Sequence, residues 1–396
     1  MILRRLAGSR ARVHGSLDSS VLEAFEPGRK RDGRSFLVYS NSERAYWLMP
    51  PDAATRRAAL GLYAPQTWLG LVLRFNMRRG WLSTGRIGLA ESRVAGFLAA
   101  VEDSLGEVDL RVAFSVGPPR PTQKITAALI GRDSSIRGYA KVAFSGEARA
   151  ALGRERRVLQ EISDVRPLSA HIPSIRAWLQ WEEADVLVLS PGPVTAGPGV
   201  LGNTHFSFLQ LLHEASQRES DFELSPIRQR LSRKHEKLGG RLAHGWDRRY
   251  ERAIDRVDRV LGSVRMPTCL AHRDFTPWNT RTGDLGLFVF DWELAEDGTI
   301  PGYDAFHFRA IQAALMGRPV DLDNWIPGFV ESVWPGGGEL LSDLWLTYLV
   351  DTSMDYAEAR AITAGVGDHR VLDWFATEID GLLEGLGTGS GIASRS

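Results

Sequence analysis

Pro267–Phe308 reads PTCLAHRDFTPWNTRTGDLGLFVFDWELAEDGTIPGYDAFHF, and the order of its residues decides the fold. Cys269, Leu270 and Ala271 form an apolar lead-in to His272, and Asp274 follows at a sharp bend. Asn279 comes just past Pro277-Trp278, a pair that cannot continue a helix. Gly283-Asp284 marks a turn, and Leu285–Phe290 is a mainly apolar run with the length of a buried strand, closed by Asp291. The pattern predicts two short strands flanking a turn, with ionisable side chains gathered at their ends. An acid at each of two strand ends, with an amide between them, is the set that phosphoryl transfer requires. One carboxylate orients an attacking hydroxyl, while the amide and the other carboxylate hold Mg²⁺ on the phosphates.

The same residues carry a resemblance. His272-Arg273-Asp274 with Asn279, then Phe290-Asp291-Trp292-Glu293, then Pro301-Gly302-Tyr303-Asp304, resembles the signature of the aminoglycoside phosphotransferase and choline kinase group. That group has a protein-kinase-like fold. Its pattern is His-Gly-Asp-x-x-x-x-Asn, an apolar strand into Asp-Trp/Phe-Glu/Asp, and Gly-x-Pro-x-x-Asp. The resemblance implies an α+β bilobal fold: a small lobe built on an antiparallel sheet, and a mostly helical large lobe with the nucleotide between them. It implies ATP and Mg²⁺ as cofactors. Asp274 would be the catalytic acid–base residue, Asn279 and Asp291 the metal ligands, and His272 a brace for the catalytic loop. Asp304 would tie that loop from below, and Glu293 is either a supporting group or merely exposed.

At 396 residues and 43% hydrophobic composition the chain can form two to three domains with real cores. Formal net charge is zero, so nothing global points to nucleic acid. The lone cysteine, Cys269, excludes a disulfide framework and a cysteine-based zinc site, and reads as a small buried hydrophobe. The N-terminus lacks an apolar core long enough for a secretory signal, and arginines interrupt the most apolar early window, Trp68–Leu73, too soon for it to span a bilayer. A cytoplasmic protein with no stable membrane insertion is expected. Of the 48 basic residues only five are lysines, which makes each one worth inspecting.

Residues 1–107 read as an accessory segment of unknown role, with an extra α/β texture. Residues 1–35 look loosely ordered. Phe36–Ser40 and Ala45–Met49 form a plausible hairpin around 41–44, and Asp52 can cap a helix through Arg56 and Leu60. Thr67–Leu82 and Arg86–Leu105 read as helices, the second closed by Gly106. Residues 108–192 are the expected small nucleotide-binding lobe. Val108–Val116, Lys124–Ile130 and Arg137–Phe144 make three antiparallel strands, followed by a helix over Gly146–Ile162.

Kinase chemistry needs a lysine on the third strand to hold the phosphates and a helical glutamate to hold the lysine. Lys141 and Glu155 fit by position, with Glu147 and Glu161 as alternatives. The loop Gly117–Gln123, where the family's glycine-rich loop falls, has one glycine and three prolines, and prolines offer no N–H to phosphate. Asp185–Ser190 is an apolar strand that the resemblance makes the adenine hinge, with Val188 and Ser190 as contacts.

Residues 193–386 are the expected large catalytic and acceptor lobe, with helices over Phe206–Ser216, Ile227–Leu238 and Trp246–Val264, and 387–396 reads as a disordered Gly/Ser tail. Residues 305–396 carry 13 acids against five arginines, and the resemblance implies that helices here form the pocket for a hydroxylated small-molecule acceptor. Arg273 stands where the small-molecule kinases have glycine, which is the protein-kinase spelling. The twelve residues between Asp291 and Asp304 leave no room for an activation segment. The expected function is a phosphotransferase acting on an aminoglycoside-, sugar- or choline-like alcohol. A nucleotide-binding pseudokinase that regulates a partner is the alternative, and a protein kinase the third.

Overall fold

Along β1 (Gly33–Ser40), Phe36 and Val38 join one apolar cluster while Leu37 and Tyr39 join another. Successive side chains of a strand point to opposite faces, so this strand is covered on both sides. Its neighbours follow the same rule. The computed structural model describes residues 20–26, 33–40, 46–63, 68–81, 83–118, 120–239, 241–242, 245–320, 322, 325–362 and 369–385. The turn expected at 41–44 and the tail at 387–396 lie outside them. The fold is α+β, in two compact units: Met1–Gly197 with Arg281–Glu293, and Pro198–Thr280 with Leu294–Ser396.

In the first unit β1 is followed by β2 (Tyr46–Met49), α1 (Ala53–Ala58), α2 (Trp68–Arg79), β3 (Gly85–Ala90), α3 (Glu91–Leu105), β4 (Arg111–Val116), β5 (Ile125–Ile130), β6 (Ile136–Ala143), α4 (Gly146–Ser163), β7 (Ile175–Trp181) and β8 (Ala184–Leu189). The eight strands form one antiparallel sheet in the order β3-β1-β2-β4-β5-β6-β8-β7. Phe97, Val94 and Val101 of α3 cover one face, with Phe25 and Trp181. Leu60 and Met77 cover the other. Two of the helices, α1 and α4, begin where a short polar side chain accepts a free N–H: Asp52 from Thr55 at 2.9 Å, and Ser145 from Ala148 at 3.1 Å.

Three findings differ from the sequence reading. Arg86–Ala90 is strand, not the start of a helix. Pairing with β1 from Gly33↔Ala90 to Val38↔Gly85 overrides its helical spacing, and the helix begins at Glu91. Residues before 36 are not all loosely held, because Phe25 is fully buried and stacks on Trp181 at 4.8 Å between ring centroids. Ile175–Trp181, unmarked in the sequence reading, is an edge strand. The front segment thus gives three strands to the sheet that carries Lys141, with β2 hydrogen-bonded to β4. A second, small sheet in this unit contains β9 (Thr195–Ala196), β12 (Thr280–Gly283) and β13 (Gly286–Val289).

The second unit is mainly helical: α5 (Asn203–Ser216), α6 (Pro226–Leu238), α7 (Trp246–Leu261), α8 (Tyr303–Met316), α9 (Trp325–Val333), α10 (Leu341–Ile362) and α11 (His369–Gly385). A three-stranded sheet joins them, with β11 (Arg265–Ala271) between β10 (Arg218–Asp221) and β14 (Glu296–Thr299). Helix α10 packs on α6, α7 and α11, and its buried run Leu344–Ser353 forms the centre of the unit. Among the described residues no helix is long and apolar enough to cross a membrane.

His205 on α5 is fully buried, 4.7 Å from the Phe308 ring and 5.9 Å from the Phe275 ring. Burial pushes its pKa down to about 4. The imidazole is therefore neutral in the fold but takes up a proton in the unfolded chain below about pH 6.5. Its contribution to stability is full above that pH and falls as the pH drops from about 6.5 towards 4. By about pH 5 the loss should reach about 2 kcal/mol, and His213, also shifted down by burial, adds in the same direction. Urea unfolding of the parent and of His205→Gln across this range measures it: the variant should show a shallower fall.

Candidate active site

In the first unit the site is built around Lys141. It lies on β6, an inner strand, between Thr126 of β5 and Leu187 of β8, and is 7% exposed. Its Nζ donates to both oxygens of Glu155, at 2.5 and 2.7 Å, and to Asp291 Oδ1 at 2.7 Å. Glu155 faces inward from α4 and is fully buried, whereas Glu147 and Glu161 are exposed on the same helix. Glu155 also accepts the Trp292 backbone N–H at 3.3 Å, which ties the helix to the chain just after Asp291. Asp291 has φ +74°, a left-handed conformation that costs a residue with a Cβ about 1–2 kcal/mol. Strain of this kind is concentrated at functional positions.

Lys124 and Glu293 complete the cluster, and the sequence reading did not give Lys124 a role. Lys124 Nζ bonds Glu293 Oε2 and lies 3.3 Å from Asp291 Oδ1. Burial pulls the Lys124 pKa down, but the carboxylates of Asp291, Glu293 and Glu155 outweigh it and hold the ammonium firmly protonated. Burial, with repulsion from Asp291, pushes the Glu293 carboxyl up. Two lysines thus face three carboxylates. The signal for Lys124 was its rarity: one of five lysines, placed directly after a loop poor in N–H donors.

The other residues expected around the nucleotide are placed as follows. Gly117 ends up in open space, where a Cβ would meet nothing within 4 Å. Its carbonyl accepts from Gln123 Nε2 at 2.7 Å, and Ser145 Oγ at the start of α4 donates to Pro121 O at 2.7 Å, so the loop is tied at both ends. Val188 is buried within β8, paired to Ala140 on one side and Ala177 on the other. Ser190 exchanges bonds with Ser174: its N–H donates to Ser174 O at 2.8 Å, and its Oγ accepts the Ser174 N–H at 2.9 Å.

In the second unit β11 delivers a tight loop. Asp304, buried at the start of α8, accepts the N–H of His272 at 2.7 Å and of Arg273 at 2.9 Å on its two oxygens. Burial pushes the Asp304 carboxyl up, against the opposing pull of His272 and these two amides. Arg273 has φ +64°, and the bend it makes brings Asp274 N–H to 3.2 Å from His272 Nδ1. Asn279 Nδ2 donates to the Asp274 backbone oxygen at 2.9 Å and to Asp274 Oδ2 at 2.8 Å. Asp274 Oδ1 faces His307 Nε2 at 3.6 Å, a residue from α8 that the motif reading passed over.

The Arg273 side chain turns away into a buried ionic cluster. It bonds Asp351 at 2.9 Å, Asp355 at 2.5 Å and Glu296 at 3.3 Å. Arg230 and Lys234 join the same acids, and Tyr303 donates its hydroxyl to Asp351 at 2.7 Å.

Over residues 131–316 the chain matches the phosphotransferase enzyme family (APH). The resemblance read from the motif is thus found again, over just under half of the chain. The matched segment includes Lys141, Glu155, Asp274, Asn279, Asp291 and Asp304, while Gly117, Lys124 and the front segment lie before it.

Among solved structures, the chain is similar to the gentamicin complex of APH(2")-IIa (16% identity, TM-score 0.46, 72% of this chain and 95% of that one). It is also similar to a thermostable mutant of APH(4)-Ia with ADP and hygromycin B (12%, 0.48, 74% and 99%). A third is the choline kinase LicA from Streptococcus pneumoniae (12%, 0.48, 74% and 100%). No curated protein matches the chain.

Proposed function

We propose that the chain transfers the γ-phosphate of ATP to a hydroxyl of a small molecule, with Mg²⁺. The observation that carries this reading is Lys141 held between Glu155 and Asp291, since a strand lysine paired to a helical glutamate is the part of a kinase that grips phosphates.

In this mechanism Asp274 takes the proton of the acceptor hydroxyl. Asn279 occupies Oδ2, and Oδ1, which faces His307 Nε2 at 3.6 Å, would meet the hydroxyl and align its oxygen on phosphorus. The loop needs no rearrangement to do so, because Asp304 already fixes its two backbone amides. Asn279 and Asp291 suit Mg²⁺: both offer oxygen donors, and Asn279 spends its amide nitrogen on Asp274, which leaves its carbonyl oxygen for a hard cation. Among the described residues no group of three or more acids, histidines or cysteines is arranged for a metal. The bound ion would neutralise charge on the transferring phosphoryl group. His272 supports the loop by accepting the Asp274 N–H.

ATP turnover by the pure protein against a panel of aminoglycosides, amino sugars and choline-like alcohols tests the proposal, with Asp274→Ala and Asp291→Ala as controls. Transfer to one acceptor class that both substitutions abolish is expected. Tight ATP binding without transfer, the same in both variants, would instead indicate a nucleotide-binding regulator.

A separate prediction concerns Lys141→Met. Loss of a charged hydrogen-bonding partner should lower kcat/KM for ATP by about 10- to 100-fold. Glu155, left buried without its lysine, should also cost measurable stability, so a thermal melt belongs beside the kinetics.

A further inference from the structure

Between Asp52 and Glu91 the chain has no acidic residue and six arginines: Arg56, Arg57, Arg74, Arg78, Arg79 and Arg86. Helix α2 lies in the middle of this stretch. It packs Met77 into the core beside Leu60, and turns Leu71, Val72 and Phe75 outward at 58%, 42% and 50% exposure. Gly80, at φ +73°, ends the helix, and the Trp81 N–H then closes onto Asn76 O at 3.0 Å. This termination fixes Trp81 beside the helix, 57% exposed and edge-on to Phe75 at 6.2 Å. Arg79 sits over both rings, 5.5 Å from Phe75 and 5.7 Å from Trp81. Arg78 and Arg79 are exposed on the same helix.

We propose that the α2–Trp81 surface docks the protein peripherally on an anionic phospholipid bilayer. A face that presents aliphatic and aromatic side chains bordered by arginines, from a stretch of sequence without acids, matches the interfacial boundary of such a membrane. There apolar side chains enter the acyl edge, tryptophan sits at headgroup level, and guanidinium groups meet lipid phosphates. A nucleic acid would satisfy the arginines but leave Leu71 and Val72 in water. The charge complementarity and the exposed apolar residues together select the lipid surface. No segment crosses the membrane in this arrangement, and the docking is independent of the proposed transfer reaction.

Flotation of the full-length protein with phosphatidylcholine vesicles, with and without phosphatidylglycerol, tests the proposal at low and physiological salt. Binding to the phosphatidylglycerol vesicles alone, weakened by salt, is expected. Arg78→Gln with Arg79→Gln should lower the vesicle partition coefficient by about 30-fold, given the usual contribution of each basic residue at an anionic surface. Leu71→Ser with Phe75→Ser should lower it as well, and circular dichroism melts would show that both variants fold. No binding to anionic vesicles, equal binding to neutral ones, or unchanged binding by both folded variants overturns the proposal. So does a self-associated form in sedimentation velocity that Phe75→Ser dissociates, with no vesicle binding by the parent.

Discussion

Asp274→Asn is expected to lower kcat by about 10²- to 10⁴-fold, the usual contribution of a positioned general base, with little change in ATP affinity. Asparagine preserves the shape of the side chain, and its amide oxygen can still accept from Asn279 Nδ2, which holds Oδ2 at 2.8 Å in the parent. The loop backbone is fixed independently by Asp304 through the amides of His272 and Arg273. The substitution therefore removes the proposed proton acceptor and leaves the scaffold intact. Rapid-quench transfer assays with ATP binding measured by calorimetry separate the two effects. An unchanged kcat would exclude Asp274 from the chemistry, and lost binding with normal turnover would place it among the binding residues.

The largest effect on stability is expected at Asp351→Asn. Asp351 is fully buried and takes Arg230 at 3.0 Å, Lys234 at 2.8 Å and Arg273 at 2.9 Å, as well as the Tyr303 hydroxyl at 2.7 Å. Burial alone would push its carboxyl up, but Lys234, Arg273 and Arg230 overcome that and hold it well below the usual carboxylate range. Asparagine leaves three cations short of their central anion, and breaking a buried pair by removing one partner costs about 3–5 kcal/mol. The melting transition of the unit should fall by about 10 °C. The pH dependence has a definite sign. A carboxylate with a depressed folded-state pKa contributes its full stability above about pH 4, its unfolded value, and loses it as the pH falls further. Acid unfolding of the parent should thus be steeper below about pH 4 than that of Asp351→Asn.

How far the sequence carried depended on the range of the signal. Asp274, Asn279, Asp291 and Asp304 were legible because short-range backbone chemistry places them: strand ends, a Pro-Trp break and a helix start. Lys141 and Glu155 were legible through strand count and helix position, and the inward turn of Glu155 follows from α4 packing its apolar stripe on the sheet. Lys124 escaped because its role comes from contact with Asp291 and Glu293, more than 160 positions away. His307 escaped for a similar reason, since only the packing of α8 brings it to Asp274. Among the elements, Arg86–Ala90 looked helical because local spacing is ambiguous over about five residues; its pairing with β1 is a long-range fact. The same pairing draws the front segment into the sheet.

The burial of Arg273 bears on control. In protein kinases an arginine in this place can wait for a phosphate to be added to the activation segment, and the catalytic loop is then ordered by that new charge. Here the counter-charge is encoded. Asp351 and Asp355 occupy the guanidinium permanently, and a phosphate brought to it would meet three carboxylates already in place. The loop is therefore set when the chain folds, with no covalent on-switch at this position.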